Sequence, residues 1–311
     1  MSILSSEPLV SIITPSYNQG RFLEATIRSV LEQDYPHIEY IVMDGGSTDD
    51  SVAILQWYSD SLAYWESQPD RGQAHAVNKG LLRAKGEILG WLNSDDLLAP
   101  GAVSRSVQIF LGQPEIDVVY GRLARIDEAG HPVPTPILPK DKVDFGSAYV
   151  IGECIVNQPG AFWQRRIMDQ VGVLDESLIY SLDYDYWIRM ALAGAQFKRL
   201  SSIVALFRLS PWSKTVGQTA AQAEEQFGTL EKLLTDPDLG YKLGLTESQT
   251  QKQIRRARAR IALRAVYGYV KLRDRKGALH WIGVVLKNDP LAIFERRYMD
   301  LGIASLRRRI M

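Results

Sequence analysis

The chain has 311 residues, of which 46% are apolar and 23% charged, and its formal net charge at pH 7 is zero. This composition is typical of a folded protein, excludes a largely disordered one, and allows either one large domain or a domain plus an appendage. The single cysteine excludes an intrachain disulfide framework and a cysteine-rich zinc site. Charge is unevenly spread, because residues 251–311 hold 16 basic and 4 acidic side chains.

The sequence shows no segment expected to cross a membrane. The first ten residues lack the basic region and apolar core of a secretory signal, and the longest apolar runs, such as residues 278–286, are shorter than the roughly 20 residues that span a bilayer. With one cysteine, this pattern predicts a cytoplasmic protein. The basic C-terminal part predicts peripheral contact with the anionic inner face of the cytoplasmic membrane; a solvated helical cap or an oligomer contact is the alternative.

In chain order, short apolar strands alternate with helical patterns through the first 120 residues. Residues 9–15 form an apolar run of strand length, and apolar side chains then recur at helical spacing from residue 20 to about residue 33. Further strands are predicted at residues 39–44, 62–67 and 87–93. A helix precedes the last strand, with an apolar face made of Ala74, Val77, Leu81 and Leu82. The alternation predicts an α/β fold with an open, mostly parallel sheet and helices on both faces.

Polar clusters follow three of these strands directly, at residues 14–18, 44–50 and 93–96. Because ligands of such sheets bind beyond the carboxyl ends of the strands, the three clusters are expected at one edge. Asp95 and Asp96 are adjacent acids at the end of a buried strand, where they need a cation, a basic side chain or water. They suit a hard divalent ion such as Mg²⁺ or Mn²⁺, and the alternative is a helix N-cap pair.

The middle of the chain, residues 118–206, carries further strand candidates around a helix that begins near Asp183. From about residue 221 the pattern is entirely helical, with predicted helices at residues 221–234, 247–271 and 275–287 before a basic tail. The predicted domains are residues 1–215, with a donor half at about 8–120 and an acceptor half at about 121–210, and a helical, basic extension at residues 216–311.

Four stretches resemble the nucleotide-sugar domain of the family-two inverting glycosyltransferases; in chain order they are LVSIITPSYNQGRF, IVMDGGSTDDS, SQPDRGQ and GWLNSDDLLAPGAV. The combination of MDGGSTD, PDRGQ and WLNSDD is similar to the branch that builds bacterial capsule, O-antigen and exopolysaccharide chains. The resemblance covers about residues 9–206. It implies the A-type transferase fold, a nucleoside-diphosphate sugar donor with UDP favoured, Mn²⁺ or Mg²⁺ as cofactor, and a glycan or lipid-linked saccharide as acceptor.

The resemblance also implies roles for residues in these loops. The loop after the first strand would hold the nucleobase through Thr14, Pro15, Tyr17 and Asn18. Asp44 would accept from a base N–H, Arg71 would clamp the pyrophosphate, and Asp95 would contact the nucleotide and, with Asp96, the metal. Packing for Tyr17, a turn cap for Asp44 and a surface position for Arg71 are the alternatives. Asn93 stands where the family's metal motif has its first acid, which places a neutral amide near the ribose.

Inverting transfer needs a carboxylate that takes the proton of the attacking acceptor hydroxyl. The family places this base in a Glu-Asp pair opening an acceptor-side helix; here the stretch is SLDYDYWIR, with Leu182 at the Glu position and Asp183 as the implied base. Asp185 is the rival, two residues further along the helix. Trp163 and Asp185 are the candidate acceptor contacts. An N-cap role for Asp183, a salt-bridged Asp185 and a core Trp163 are the alternatives.

Two other functions remain open from the sequence. A nucleotidyltransferase shares the sheet and the metal carboxylates, although residues 14–22 lack its Gly-rich phosphate loop. A catalytically silent nucleotide-sugar binding protein would keep the sheet without its acids. A dinucleotide-dependent oxidoreductase is excluded because no GxGxxG follows a strand. Nucleic acid is not an expected partner, since the basic residues fall in no recognised binding module.

Overall fold

The computed structural model describes residues 4–134, 156–210 and 219–294. Within them the chain forms two compact units. The first holds residues 4–134, 156–177 and 189–210, and the second holds residues 178–188 and 219–294. The predicted boundary after residue 215 lies outside the described residues and stays a prediction. The basic tail and Cys154 also lie outside them.

The first unit is the predicted α/β part. Its strands are β1 (Val10–Ser16), β2 (Ile38–Asp44), β3 (Tyr64–Ser67), β4 (Ile88–Trp91), β5 (Leu97–Leu98), β6 (Val118–Ile126), β7 (Pro132–Val133), β8 (Phe162–Gln164) and β9 (Phe197–Arg208). Its helices are α1 (Gly20–Leu31), α2 (Ser51–Trp57), α3 (Gln73–Arg83), α4 (Ala102–Gly112) and α5 (Arg165–Val171). Helix α6 (Leu182–Leu192) begins in the second unit and ends in the first.

All nine strands belong to one sheet, in the order β3-β2-β1-β4-β8-β6-β9-β5, with β7 beside β6. The first four strands in this order run parallel, whereas β8 is antiparallel to both β4 and β6. Every residue of β1 is buried, as expected of a central strand covered on both faces. The predicted open, mostly parallel sheet is confirmed, and the parallel strands bring residues 16, 44, 67 and 91 to one edge.

The core of this unit lies between the sheet and its helices. Helix α1 buries Leu23, Ile27 and Val30 against the sheet, which is the predicted apolar spacing. One predicted core position is wrong: Leu82 on α3 is 74% exposed, because the buried face of that helix continues through Val77, Asn78 and Leu81. A polar residue, Asn78, therefore occupies a position that hydrophobic spacing alone assigns to solvent.

The second unit is helical, as predicted. Beyond the first turns of α6 it contains α7 (Thr219–Leu233), α8 (Leu239–Lys242), α9 (Glu247–Lys271), α10 (Arg275–Asn288) and a 3₁₀ helix (Pro290–Phe294). Helix α9 begins with a capping box, in which Thr246 and Gln249 bond to each other's backbone N–H groups. Asp274 caps α10 by accepting from Gly277 N. Among the described residues, no helix is both long and apolar enough to cross a membrane.

Candidate active site

The loops after β1 and β2 are joined at the carboxyl edge of the sheet. The backbone N–H of Asn18 donates to Ser47 Oγ (2.7 Å), and the Asn18 side-chain oxygen accepts from Thr48 N (2.9 Å). Asn18 has a φ of 52°, in the left-handed region that asparagine tolerates better than most residues. Asp49 accepts from Gly20 N (2.9 Å), which ties the second loop to the start of α1. The predicted convergence of these two loops is therefore present.

The residues implied for the nucleobase divide into buried and exposed members. Thr14 and Pro15 are buried in β1, and Thr14 Oγ1 lies 3.1 Å from Tyr40 Oη in the interior. Tyr17 is 61% exposed, so most of its side chain is not packed against the protein. Its position directly beyond β1 leaves the ring face available for stacking. The packing alternative for Tyr17 does not fit this exposure.

Asp44 holds the turn that follows β2. Its carboxylate is fully buried and accepts from Gly46 N (3.1 Å), Ser47 N (2.8 Å), Ser47 Oγ (2.5 Å) and Ser67 Oγ (2.7 Å). Gly46 takes a φ of 82°, which a side chain would strain. The turn-cap role left open by the sequence is therefore present, and contact with a base N–H stays a prediction.

Asp95 and Asp96 follow β4 at the same edge and differ in their surroundings. Asp96 is 1% exposed; its Oδ1 accepts from Arg208 N (3.0 Å), while its Oδ2 is buried with no hydrogen-bond partner among the described residues. Asp95 is partly exposed. Burial raises the pKa of Asp95, and burial together with the Asp95 charge raises the pKa of Asp96 well above its ordinary value. A buried carboxylate oxygen without a hydrogen-bond partner is suited to hold a proton, a water molecule or a cation.

Arg208, at the end of β9, is the basic residue next to this pair, and the sequence reasoning did not find it. Its Nε donates to the Asp95 carbonyl (2.9 Å), and its Nη1 donates to the carbonyls of Asp127 and Glu128 (3.0 Å each). The guanidinium also lies 4.7 Å from the centre of the Phe22 ring. Burial lowers the pKa of Arg208. Because its N–H groups point at backbone carbonyls, the side chain fixes the loop while the Asp96 Oδ2 stays unpaired.

Asn93, the residue in place of the family's first acid, is engaged inside the protein. Its Oδ1 accepts from Gln73 Nε2 and Trp91 Nε1 (2.8 Å each), and its Nδ2 donates to Gln158 Oε1 (3.1 Å). Gln158 Nε2 in turn donates to the Trp91 carbonyl (2.6 Å). The amide thus joins α3, β4 and the segment before β8. An aspartate there could not donate to Gln158, so this network suits asparagine.

Arg71 lies in the loop before α3 and is paired within the protein. Its Nη2 and Nε both contact Glu176 Oε2, at 2.6 and 3.1 Å. This ion pair is exposed, and the Arg71 hydrogen bond is the main cause that lowers the pKa of Glu176. Asn78 holds the same segment by bonding to Leu174 N (2.9 Å) and Leu174 O (3.0 Å). Lys79 instead pairs with Glu66 (2.7 Å), away from the loop.

The residues implied for the acceptor side lie on β8 and α6. Trp163 is 1% exposed in the middle of β8, registered with Leu89 and Val118, which is the core position left open as its alternative. Asp185 is 6% exposed. Within residues 181–190 of the described chain, Asp183 and Arg189 are the side chains that are not buried. Of the two candidate acids, Asp183 is therefore the more exposed one.

Comparison with known proteins places this geometry in a family. Residues 11–171 match the model of glycosyl transferase family 2. This match covers more than half of the chain, including β1 to α5. The chain belongs to glycosyl transferase family 2. Membership confirms the resemblance found in the sequence and identifies the protein as a glycosyltransferase.

This family-2 glycosyltransferase is similar to curated bacterial proteins. An uncharacterized glycosyltransferase of Mycobacterium tuberculosis is 32% identical over 195 residues, which are 61% of this chain and 71% of the relative. The chondroitin synthase of Escherichia coli is 26% identical over 238 residues, or 75% of this chain and 33% of that protein. The chain therefore spans about a third of the chondroitin synthase.

Two solved structures show the same fold. TarS of Staphylococcus aureus, in complex with UDP-GlcNAc, has a TM-score of 0.58 at 17% identity and covers 89% of this chain and 90% of its own. The Pyrobaculum calidifontis mannosyltransferase PcManGT, in complex with GDP-Man and Mn²⁺, has a TM-score of 0.61 at 20% identity, covering 97% and 87%. Together with the sheet order, these likenesses confirm the A-type transferase fold of the family-2 chain.

Proposed function

We propose that this family-2 enzyme is a metal-dependent, inverting glycosyltransferase that moves a sugar from a nucleoside-diphosphate sugar, with UDP favoured, to a glycan or lipid-linked acceptor. The observation that carries the proposal is the pair Asp95 and Asp96, in which a buried Asp96 oxygen has no partner among the described residues. The joined loops after β1 and β2 lie at the same edge of the sheet. Family membership favours glycosyl transfer over the nucleotidyltransferase alternative.

The residues at this edge fit a divalent cation. Two adjacent carboxylates offer hard oxygen ligands, and Mn²⁺ and Mg²⁺ take one or two protein carboxylates and complete their coordination with phosphate oxygens and water. The described residues contain no group of three or more acidic, histidine or cysteine side chains that could hold a metal, so phosphate and water would supply the other ligands. Asp95 and Asp96 would hold the ion, which supplies neutralisation of the departing diphosphate. PcManGT is a family neighbour in complex with Mn²⁺.

The donor would be bound by its nucleotide. The exposed ring of Tyr17 supplies a stacking surface for the base, and Asn18 fixes the loop that carries it. Arg71 would bind the pyrophosphate, because its planar fork of donors matches phosphate oxygens. Its exposed pair with Glu176 opens at low cost because surface ion pairs contribute about 0–1 kcal/mol. Both neighbouring structures hold nucleoside-diphosphate sugars.

Asp183 would act as the general base. It would accept the proton of the acceptor hydroxyl as that oxygen attacks C1 of the donor sugar, and the C1–O bond to the diphosphate breaks on the opposite face. The proton ends on Asp183 and the electron pair on the nucleoside diphosphate. Attack on the face opposite the leaving group inverts the anomeric centre. Partial exposure of Asp183 within a buried stretch of α6 supports this role over Asp185.

A calorimetric titration tests the donor and metal proposals. UDP, GDP and dTDP are titrated with and without Mn²⁺, into the wild type and into the double variant Asp95→Ala/Asp96→Ala. We expect UDP to bind best and Mn²⁺ to enhance its binding only in the wild type. Asp95 and Asp96 precede β5, and the helix that follows, α4, begins after Gly101, so the N-cap alternative is wrong. Equal binding by the double variant would exclude the pair from metal binding, and no nucleotide binding in any condition would overturn the transferase proposal.

A second test addresses the base. Asp183→Asn should keep the affinity for UDP and Mn²⁺ while nucleotide release from UDP-sugars falls by roughly 10²- to 10⁴-fold, the contribution of a general base. Asp185→Asn is the comparison within the same helix. Wild-type turnover in the Asp183 variant would refute the assignment, and unmeasurable turnover in the wild type with every donor would favour the silent binding alternative.

The basic helices α9 and α10 support peripheral contact with an anionic membrane. On α10, Leu279 is 66% and Leu286 50% exposed; they lie seven residues apart on one face, beside the exposed Lys276 and Lys287. Apolar side chains flanked by lysines suit an interfacial position. In sedimentation with phosphatidylserine vesicles, Leu279→Glu/Leu286→Glu should reduce binding, whereas Leu82→Glu, an exposed leucine on α3, should not. Equal binding by all three proteins would refute this contact.

A further inference from the structure

One glutamate of α7 holds the segment that leads into α6. Glu225 Oε2 accepts from Ile179 N (2.8 Å), and its Oε1 accepts from Tyr180 N and Ser181 N (2.7 Å each) and from Ser181 Oγ (2.8 Å). Four short hydrogen bonds to one carboxylate are charge-assisted and stronger than neutral ones. They connect residues 44 to 46 positions apart in the sequence.

These contacts fix the start of the helix. The carbonyl of Ser181 accepts the helical hydrogen bond of Asp185 N (2.9 Å), so the position of Ser181 determines where the first turn begins. Asp183 is the second residue of that turn, and its Oδ1 accepts from Tyr184 N (2.8 Å). The negative charge of Glu225 near the N-terminal end of α6 is also favourable toward the helix dipole. Residues 178–188 accordingly group with residues 219–294 in one compact unit.

The neighbouring residue, Glu224, has a different task. Its Oε1 accepts from Tyr269 Oη on α9 (2.5 Å) and from Trp281 Nε1 on α10 (3.4 Å). Glu224 therefore joins helices of the extension to one another, whereas Glu225 joins the extension to the beginning of α6. Of these two adjacent glutamates, Glu224 thus contributes to helix packing, and Glu225 positions the residues before Asp183.

We propose that Glu225 is a positioning residue for the general base, and that the helical extension takes part in catalysis by fixing the first turn of α6. This inference rests on the proposed role of Asp183. A shift of about 1 Å in a reacting group is enough to cost about 10²-fold in rate, so loosening residues 179–181 lowers turnover without touching the donor. Donor affinity and protein folding remain as readouts that a general loss of structure would change.

The experiment compares Glu225→Ala, Glu225→Gln and the control Glu224→Gln in the full-length protein. Amide hydrogen exchange of peptides covering residues 178–188 should accelerate by at least about tenfold in Glu225→Ala, which loses charge-assisted bonds, and stay unchanged in Glu224→Gln. Glutamine has one acceptor oxygen and can keep only some of the four hydrogen bonds. The exchange rate in Glu225→Gln should therefore lie between the rates in Glu225→Ala and the wild type. Nucleotide release from UDP-GlcNAc, UDP-glucose, UDP-galactose and GDP-mannose is measured in parallel with the UDP affinity in Mn²⁺.

We expect kcat to fall by about 10²-fold in Glu225→Ala, with the affinity for UDP within about twofold of wild type. Unchanged exchange in residues 178–188, or an equal fall of kcat in Glu224→Gln, would overturn the inference. Asp183→Asn is assayed beside these variants to separate two failures. If Asp183→Asn is inactive while Glu225→Ala has wild-type kcat, the inference alone fails; if Asp183→Asn turns over normally, the assignment of the base fails.

Discussion

Replacing Asp96 by asparagine should stabilise the protein when no divalent cation is present. When the cation is added, the same replacement should make the protein less stable than the wild type. Without metal, the wild type buries a carboxylate oxygen with no partner among the described residues. A buried unpaired polar group costs about 1–3 kcal/mol, and more when it carries charge. The asparagine side chain keeps an oxygen that can accept from Arg208 N and leaves only a neutral amide nitrogen unpaired. We therefore expect Asp96→Asn to raise the free energy of unfolding by about 1 kcal/mol, or the Tm by about 2 °C in a chain of this size.

With Mn²⁺ and UDP present, the wild type should become more stable than Asp96→Asn. A ligand at about 100 times its Kd stabilises a protein by about 2.7 kcal/mol, and this gain requires the carboxylate. Scanning calorimetry in a chelator and then at rising Mn²⁺ concentration, with UDP held constant, measures both effects. Asp50→Asn is the control because it removes the same charge from an exposed position. A variant less stable than the wild type in the chelator, or an equal Mn²⁺ effect on both proteins, would refute the reasoning.

Three further changes have distinct expected outcomes. Arg208→Met should lower the free energy of unfolding by about 1–3 kcal/mol in urea denaturation, because it leaves the carbonyls of Asp95, Asp127 and Glu128 without their donor; a loss below about 0.5 kcal/mol would contradict this. The Lys79 hydrogen bond lowers the pKa of Glu66. The Lys79–Glu66 pair therefore stabilises the fold fully above the ordinary glutamate pKa, and this stabilisation is lost as pH falls through the lowered value. Lys79→Met should lower the free energy of unfolding by about 1 kcal/mol at pH 7 and by progressively less below about pH 4. Arg71→Ala should leave stability within about 0.5 kcal/mol, since the pair is exposed, while calorimetry shows UDP affinity about tenfold lower; unchanged affinity would exclude the clamp.

Features set by local pattern were predictable from the sequence. The run in β1, the spacing in α1 and the helix at Glu247–Lys271 were predicted with nearly the observed bounds, because each has a strong period and clear end signals. The parallel alternation also predicted that the clusters after β1, β2 and β4 meet at one edge. These inferences depend on rules that act over a few residues or on a general property of parallel sheets.

Features set by long-range contacts were not predictable in this way. Arg208 reaches Asp95 across 113 positions, and it appears in the sequence only as an arginine ending an apolar run. Glu225 has no local signal that distinguishes it from Glu224. The buried face of α3 includes Asn78 because that side chain bonds to Leu174, 96 positions away, and this displaced Leu82 from its predicted core position. Each of these outcomes depends on which distant backbone groups need a partner.

The grouping of residues 178–188 with residues 219–294 affects how this enzyme can be recombined with its relatives. A chimera joined once, between β9 and α7, would pair a native segment 179–181 with a foreign α7 and would lose the carboxylate that its backbone N–H groups require. An exchange of the helical extension needs two junctions, so that residues 178–188 travel with it. The proposed base, Asp183, would then be inherited with a discontinuous block of sequence, while the loops proposed to bind the donor stay with the remainder of the chain.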